Sequence, residues 1–311
     1  MSMKRKQKLN NRISIIIIVL LFIISNLKAQ TPGQIIRDAN GNMPPSGYST
    51  VLDPNQNGYI SVSTSGFSSS DIGSGNSEIP YVPVPLATSE VNADLRRGSS
   101  GSFSEIVPDA VSQGFYMYSD GTNIMFRMRI GGISPGSKGY SALLDVDQKF
   151  GASGVNADPT YQAQTTGTNG NPGFEFEVVY ETNVDVAVYF IDNSCPTSPI
   201  KIKSYPVSTY PGMAQTSIAS TSNGSTLDYF YDFYVPISDL NYGGYIVTSS
   251  TPIRASCTTV MSPSGAICGP KSDIYGNDTQ FKSYTSQWEA EIINQPTFTL
   301  TDVGSTGSSA L

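Results

Sequence analysis

The chain has 311 residues, a net charge of −7, three cysteines and no histidine. Without histidine, the sequence excludes His-dependent catalytic triads and zinc sites with imidazole ligands. Six of the lysines and arginines lie in the first 28 residues, so removal of that segment would leave a charge of −13. Such an acidic surface excludes nucleic acid as an expected partner and favours hard cations such as calcium.

The N-terminal residues have the pattern of an export signal. A basic cluster precedes the apolar run 13–24, and a polar stretch ending at Ala29 follows it. The run is shorter than the roughly 20 apolar residues that a membrane-spanning helix requires. This pattern predicts a secretory signal peptide over residues 1–29, cleaved near Ala29 or Gln30, with an uncleaved anchor as the alternative. Residues 30–47, which are polar and rich in Pro and Gly, follow as an extended lead-in.

The segment 53–61 contains the first part of a calcium-binding loop pattern. Its ligand positions are occupied by Asp53, Asn55, Asn57, Tyr59 and Ser61. Thr64 stands where the pattern expects a bidentate carboxylate, and no amphipathic helix flanks the loop. The segment therefore predicts either a structural calcium site or an Asx-type turn that leads into a strand.

Short stretches of alternating apolar residues predict one β-rich domain over residues 48–300. Residues 79–86, IPYVPVPL, alternate Pro with apolar residues, so they suit an edge strand or a polyproline segment. The Asp120-Gly121 turn predicts a hairpin in which Arg127 and Arg129 face away from the apolar side. Further strands are predicted at residues 57–64, 139–147, 201–207 and 227–240, with short contributions from 245–247, the region around Trp288 and one helical turn at 289–293.

The strongest strand signal is the segment 173–192, GFEFEVVYETNVDVAVYFID, which predicts a hairpin with one buried face. Apolar residues recur at every second position, and Glu175, Glu177 and Asp185 occupy the opposite face, where we expect water. A slip of one residue would bury these carboxylates, so the register is well specified. Such a hairpin needs a second sheet against its apolar face. The predicted fold is therefore an all-β, antiparallel β-sandwich with long loops rich in Gly, Ser and Asn.

Aromatic residues occupy both faces of the predicted strand 227–240, which indicates either a central strand or a face that carries a ligand. Aromatic residues are good strand formers, so packing in the core explains one set of them. The alternative is an exposed stacking platform for sugar rings. This candidate ligand-binding site consists of Tyr229, Tyr231, Phe233 and Trp288.

Carboxylates spaced two residues apart share one face of a strand. The first group of oxygen ligands consists of Asp145, Asp147, Asn156 and Asp158. Because these carboxylates repel one another, the group requires a bound cation, an arginine such as Arg127 or Arg129, or contact with water. The simplest interpretation is a solvent-exposed rim with ion pairs between neighbouring strands.

The second pair, Glu175 and Glu177, has roughly the 6–7 Å separation of a glycosidase pair. Nothing in the sequence separates the two pKa values, however, and acids at this spacing are common on the wet face of a strand. No catalytic residue is therefore assigned, and we expect the protein not to be an enzyme.

The cysteines suggest one disulfide. Cys257 and Cys268 flank a short loop, and in an exported protein this spacing predicts a bridge that closes it. Cys195 is left over, either as a small buried hydrophobic residue or as an alternative partner for one of the other two.

The order of four segments, DGTNIMFRMRI, GYSALLDVD, GNPGFEFEVVY and DFYVPISDL, resembles the β-sandwich of family 9 carbohydrate-binding modules and DOMON-like domains. Four further segments, LDPNQNGYIS, EIPYVPVP, NADL and SDIYG, are similar to the N-terminal region of large surface proteins exported by the type IX secretion system of gliding bacteria. This resemblance implies export, adhesion and gliding motility. Family 9 modules grip sugars chiefly with tryptophan, and this chain has only Trp288.

Together these observations predict a secreted, non-enzymatic adhesion or ligand-binding module of a larger cell-surface protein. The alternatives are a carbohydrate-binding module of a hydrolase whose catalytic domain lies elsewhere, and a structural stalk or cap. The expected partners are a glycan or surface polysaccharide and other domains of the parent protein, with no membrane span in the mature chain. Residues 301–311 are expected to be a linker or the start of a following region.

Overall fold

The structure is a computed structural model that describes residues 51–53, 79–85, 89–91, 102–108, 113–163, 170–191, 199–223, 226–262, 267, 271–276 and 292–304. All of these belong to the compact unit Pro32–Leu311. The predicted signal peptide, the lead-in at 30–47 and the predicted strand at 57–64 lie outside the described residues.

The described residues form mainly β-strands. The strands are β1 (Val82–Pro83), β2 (Phe115–Ser119), β3 (Asn123–Ile130), β4 (Gly139–Asp145), β5 (Phe176–Glu181), β6 (Asp185–Phe190), β7 (Ile200–Pro206), β8 (Ala214–Asn223), β9 (Thr226–Pro236), β10 (Arg254–Val260) and β11 (Asp273–Ile274). One sheet has the order β1-β2-β3-β9-β8, and the other has the order β11-β10-β4-β5-β6-β7, with antiparallel pairing throughout. The predicted all-β antiparallel sandwich is confirmed, and β1 lies at a sheet edge as its prolines indicate.

The main core lies between the sheets and contains the alternating apolar residues of the strands. Phe126 of β3 and Phe233 of β9 are fully buried, with ring centroids 5.3 Å apart. Tyr140 of the second sheet stacks on Tyr231 of the first sheet at 4.1 Å. Burial of one large apolar side chain contributes roughly 1.5–3 kcal/mol, so the many apolar side chains of this layer stabilise the contact between the sheets.

Both predicted hairpins are confirmed. β2 and β3 are joined at Gly121, whose φ is +86°. β5 and β6 are joined at residues 182–184, where Asn183 has a φ of +65° and the Val184 amide donates to the Glu181 carbonyl at 2.8 Å. Gly and Asn adopt this left-handed backbone at the lowest cost, so the turn chemistry agrees with the strand pattern.

The prediction that one face of the β5–β6 hairpin meets water is wrong. Glu175, Glu177 and Asp185 are only 3%, 0% and 4% exposed. A second apolar cluster lies beside the main core and consists of Leu143, Phe150, Phe174, Ile191, Ile267, Ile274 and Ile292. Phe174 and Ile191 of the hairpin segment belong to this cluster, but its other members come from other parts of the chain, so the hairpin sequence alone does not reveal that this face is covered.

The outer face of the five-stranded sheet is covered as well. Arg127 is fully buried there, with its guanidinium 4.6 Å from the ring centroid of Tyr81 and 4.2 Å from that of Phe230. The register of β3 with β9 places Arg127 opposite Asp232, and the two side chains form a bidentate pair with both distances at 2.7 Å. The arginine can be buried because its charge is paired in this geometry.

The sandwich continues beyond residue 300, where the sequence analysis ended the domain. Leu300 and Val303 are 1% and 0% exposed and join the main core. The short helix Leu300–Gly304 packs so closely on β2 that a β-carbon at Gly304 would lie 2.6 Å from the Ser119 carbonyl oxygen. Residues 292–294 are helical, close to the predicted turn. Within the described ranges, no helix is long and apolar enough to cross a membrane.

Candidate functional site

Three carboxylates meet at one end of the second sheet. Asp145 ends β4, Asp147 follows two residues later, and Glu175 immediately precedes β5. Antiparallel pairing of β4 with β5 places Leu144 opposite Phe176, which makes the adjoining carboxylates neighbours. One oxygen of each side chain lies within 4.8 Å of the others. We call Asp145, Asp147 and Glu175 the acidic cluster.

Asp145 is the fully buried member of the acidic cluster. The register of β10 with β4 places Arg254 opposite it, and Arg254 Nε donates to Oδ2 at 2.8 Å. The Gln148 amide donates to Oδ1 at 2.7 Å. Burial raises the pKa of Asp145 to about 7, although the Arg254 charge and the Gln148 hydrogen bond act in the opposite direction.

Two expectations from the sequence about Asp145 are wrong: the identity of its arginine partner and its contact with water. Arg127 and Arg129 do not neutralise this cluster, because Arg127 binds Asp232 and Arg129 binds Asp228 at 2.6 Å. Nor is the cluster a solvated rim, since Asp145 is inaccessible to solvent.

Glu175 is the member of the cluster that the Val146 backbone amide holds in place. Its Oε2 accepts a hydrogen bond from the Val146 amide at 2.7 Å. Burial raises the pKa of Glu175 well above its usual range, and the charges of Asp145, Asp147 and Asp158 raise it further. Asp158 is therefore near the cluster, as expected from the sequence, whereas Asn156 is exposed.

The acidic cluster can act in two ways. Because the pKa values of Asp145 and Glu175 are raised, these carboxyls hold protons at a higher pH than exposed acids do. Alternatively, carboxylate oxygens this close together can hold a hard cation, which would replace the protons. Among the described residues, the acidic cluster is the one set of three or more Asp, Glu, Cys or His side chains whose ligand atoms lie close enough together to hold a metal ion.

An aromatic surface adjoins the acidic cluster. The Tyr245 hydroxyl lies 3.5 Å from Asp147 Oδ2, and the Tyr245 ring packs edge-on against Phe176 with centroids 6.1 Å apart. The Phe190 ring at the end of β6 lies 6.2 Å from Tyr245 and 5.2 Å from Tyr242. Burial and the nearby carboxylates raise the pKa of Tyr245. We call Phe190, Tyr242 and Tyr245 the aromatic surface.

The aromatic platform predicted on strand 227–240 does not lie on the protein surface. Tyr231 and Phe233 are 1% and 0% exposed within the main core, and Tyr229 is half-buried against it. The alternative of core packing is therefore the correct one for these residues. Trp288, the fourth residue of that site, lies outside the described residues.

The predicted calcium loop is described only at its first ligand. Asp53 is 1% exposed. The four other predicted ligands, Asn55, Asn57, Tyr59 and Ser61, lie outside the described residues, so this calcium site stays a prediction.

The predicted Cys257–Cys268 disulfide is wrong, because Cys257 is a free thiol. β10 continues through residues that were expected to form a loop, and the Cys257 side chain joins the main core. Burial raises the pKa of the Cys257 thiol, so it is poorly nucleophilic in the folded protein. Cys195 and Cys268 lie outside the described residues.

Glu175 and Glu177 do not form an open pair of carboxylates. Glu175 accepts a hydrogen bond from the Val146 amide, and Glu177 Oε1 accepts one from the Ile267 amide at 3.3 Å. The side chain of Lys271 is buried near Glu177, and burial lowers its pKa to about 7 although Glu177 opposes this shift. The two glutamates are thus buried against different loops.

The sequence does not reveal that Arg254, Phe190, Tyr242 and Tyr245 belong to this site. Two tyrosines around a Gly-Gly pair, in the stretch NYGGYI, are the signal that could have marked residues 241–246 as an ordered aromatic loop. Nothing local links this loop to Asp147, which lies 98 residues earlier in the sequence.

Comparisons with protein-family models, with curated proteins and with solved structures found no match.

Proposed function

We propose that the protein is a secreted, non-enzymatic adhesion or ligand-binding module at the cell surface and part of a larger exported protein. The observation that carries this proposal is the aromatic surface, where Tyr242 is 43% exposed on the Phe190 ring and the neighbouring Tyr245 hydroxyl reaches Asp147 of the acidic cluster. Aromatic side chains with a few polar groups converging on them are typical of binding sites. Loops at the end of a rigid scaffold commonly carry such sites.

Binding rather than catalysis is supported by the state of the carboxylates. Acid and base catalysis on a sugar requires two carboxyls that face the same substrate with separated pKa values. Asp145 is instead held by Arg254 and a backbone amide, and Glu175 and Glu177 each accept a backbone amide. These contacts favour a role in structure or in holding a ligand.

The extracellular location is supported by the sequence. The basic cluster and the apolar run at 13–24 predict export, and the resemblance to type IX secreted surface proteins suggests adhesion and gliding motility. The acidic composition of the remaining chain disfavours nucleic acid as the partner.

A second candidate is a carbohydrate-binding module that serves a hydrolase domain of the parent protein. The aromatic surface favours this candidate as well, since it offers a ring to stack against. A structural cap or stalk would instead leave the aromatic surface without a ligand.

The proposed function is tested on intact producer cells. We expect a membrane-impermeant biotin reagent to label the protein, and beads coated with the full chain to adhere to cells or to their extracellular polysaccharide more than beads coated with albumin do. The absence of both results would contradict the proposal. Release of sugar products from the polysaccharide by the purified chain would contradict its non-enzymatic part.

A further inference from the structure

The aromatic surface is held in a fixed shape by the loop at residues 241–247. The Val247 amide donates to Asn241 Oδ1 at 2.8 Å, and the Tyr245 amide donates to the Tyr242 carbonyl at 3.0 Å. Gly243 has a φ of +64°, and a β-carbon at this position would overlap the Phe190 ring. The loop backbone therefore lies directly on Phe190. Because the loop is already ordered, binding of a ligand here costs little conformational entropy.

The three rings differ in depth. Phe190 and Tyr245 are half-buried and rest on the core residue Phe176, at centroid distances of 5.7 Å and 6.1 Å. Tyr242 packs edge-on against Phe190 and remains 43% exposed, and Ile246 is 75% exposed in the same loop. Tyr242 is thus an outer ring that rests on Phe190, and Phe190 in turn packs on Tyr245 and the core, which gives a ligand a firm apolar surface.

Hydrogen-bonding groups lie one side chain away from these rings. The Tyr245 hydroxyl and Lys149 Nζ lie 3.5 Å and 3.1 Å from the same oxygen, Asp147 Oδ2. Lys149 and Asp147 are 49% and 17% exposed at their side chains, so both reach solvent. The site therefore offers a donor, an acceptor and a hydroxyl beside an aromatic ring.

Charge limits the class of ligand. Asp147 adjoins Asp145 and Glu175, and Asp158 lies near them, whereas Lys149 is the exposed cation in contact with Asp147. Arg254 pairs with Asp145, and Glu175 keeps its proton to higher pH than exposed acids do, so the remaining charges are those of Asp147, Asp158 and Lys149. Two acids against one cation repel a ligand that carries carboxylates or sulfates. A neutral ligand with several hydroxyls meets no such repulsion.

We propose that the aromatic surface binds a neutral pyranose ring of a polysaccharide. The apolar face of the sugar stacks on Tyr242, and its hydroxyl groups bind Asp147, Lys149 and the Tyr245 hydroxyl. This inference rests on the proposed binding function and names the ligand class and its residues.

A sugar fits this surface better than a protein does. A stable protein interface buries about 800 Å² on each partner, whereas the large apolar side chains exposed in this loop are Tyr242 and Ile246. Asn241 is exposed in the same loop, and the Tyr245 hydroxyl connects this loop to Asp147 and Lys149. One or two sugar rings match an apolar surface of this size.

The test uses the full chain in affinity gel electrophoresis with soluble dextran, laminarin, galactomannan and arabinoxylan, and with alginate as an acidic polysaccharide. We expect at least one neutral polysaccharide to retard the chain. Tyr242→Ala should weaken that binding about tenfold, the equivalent of one aromatic contact, whereas Tyr242→Phe should retain it. Tyr210→Ala is the matched control, since Tyr210 is 42% exposed but packs on Tyr205 of β7.

The outcomes separate this inference from the proposed function. Retention by alginate alone, or equal weakening by Tyr242→Ala and Tyr210→Ala, would overturn the neutral-sugar site. Adhesion of coated beads to cells without retardation by any neutral polysaccharide would also overturn it and leave the proposed function standing. Thermal unfolding of each variant shows whether it is folded, and the Tyr242→Phe variant keeps the ring in place if Tyr242→Ala fails to fold.

Discussion

Burial is the main cause of the raised pKa values of Asp145 and Glu175. Asp145 lies against Arg254 at 2.8 Å and still has its pKa raised to about 7, because the loss of hydration outweighs the attraction of one cation. Glu175 has no arginine within its hydrogen bonds and sits among other acids, so its pKa is raised well above the usual range. Glu175 is therefore best tolerated in the folded protein when it is protonated, whereas the ionised form of Asp145 keeps the buried Arg254 paired.

Stability should therefore fall as pH rises through the pKa of Glu175 in the folded state. The unfolded chain loses the Glu175 proton near pH 4.5, and the folded chain retains it to higher pH, so ionisation favours unfolding. Glu175→Gln removes this ionisation. In buffer with a chelator, we expect the variant to match wild type in stability at pH 4 and to be more stable than wild type at pH 8. The measurement is thermal unfolding of both proteins across this range, and a difference that does not change with pH would contradict the expectation.

At the scale of the element, the β5–β6 hairpin shows how local chemistry fixes a turn. Its register places Glu181 opposite Asp185, and the chain reverses through Asn183 in the left-handed region. Asparagine adopts this conformation more easily than other residues with a side chain, and glycine adopts it most easily.

Two substitutions at this turn should separate backbone strain from packing. Asn183→Ala should cost about 1 kcal/mol of unfolding free energy, because alanine is disfavoured at a φ of +65°. Asn183→Gly should be close to neutral. Asn183 is exposed, so neither change removes core contacts. Chemical denaturation of the three proteins decides the matter, and equal losses in both variants would show that the Asn183 side chain itself is what counts.

The strands that the sequence predicts are those with large alternating apolar residues, such as β3 and β5. β8, AQTSIASTSN, and β10, RASCTTV, are rich in small and hydroxyl side chains, so neither has a period-two apolar pattern. In β10 the threonine hydroxyls donate hydrogen bonds to backbone carbonyls instead of to water. Thr259 Oγ1 donates to the Ser104 carbonyl at 2.6 Å, and Thr258 Oγ1 donates to the Asp273 carbonyl at 2.5 Å. These two polar side chains of β10 are thereby buried with their hydroxyl groups hydrogen-bonded.

The candidate site was predictable only in fragments. Asp145 with Asp147, and Glu175 with Glu177, are visible as pairs along single strands, but the group that forms takes members from both pairs. That group depends on the register of β4 with β5, and Arg254 reaches Asp145 across 109 residues of sequence. Pairing between distant strands is set by the whole core, and no single segment encodes it.

At the scale of the whole molecule, the sandwich is closed by segments that are not strands. Leu300 and Val303, from the helix that follows Phe298, join the core between the sheets. Phe298 itself pairs with Ile253 as an isolated bridge. The last described residues are therefore part of the domain and not a linker.

Two valines test this role of the C-terminal helix. Val303 is 0% exposed and Val155 is 100% exposed. Val303→Asp should place an unpaired charge in the core and cost several kcal/mol, about 3–5, whereas Val155→Asp should change stability by less than about 0.5 kcal/mol. Denaturant unfolding of both variants gives the comparison. Similar midpoints would mean that the domain ends before residue 301.

The free thiol of Cys257 on β10 can report how often the two sheets separate. Cys257 is sealed between the two layers, so an alkylating reagent can modify it only after the layers part. Peptide-resolved mass spectrometry would then time rare whole-domain opening directly, without interference from fraying at turns or chain ends.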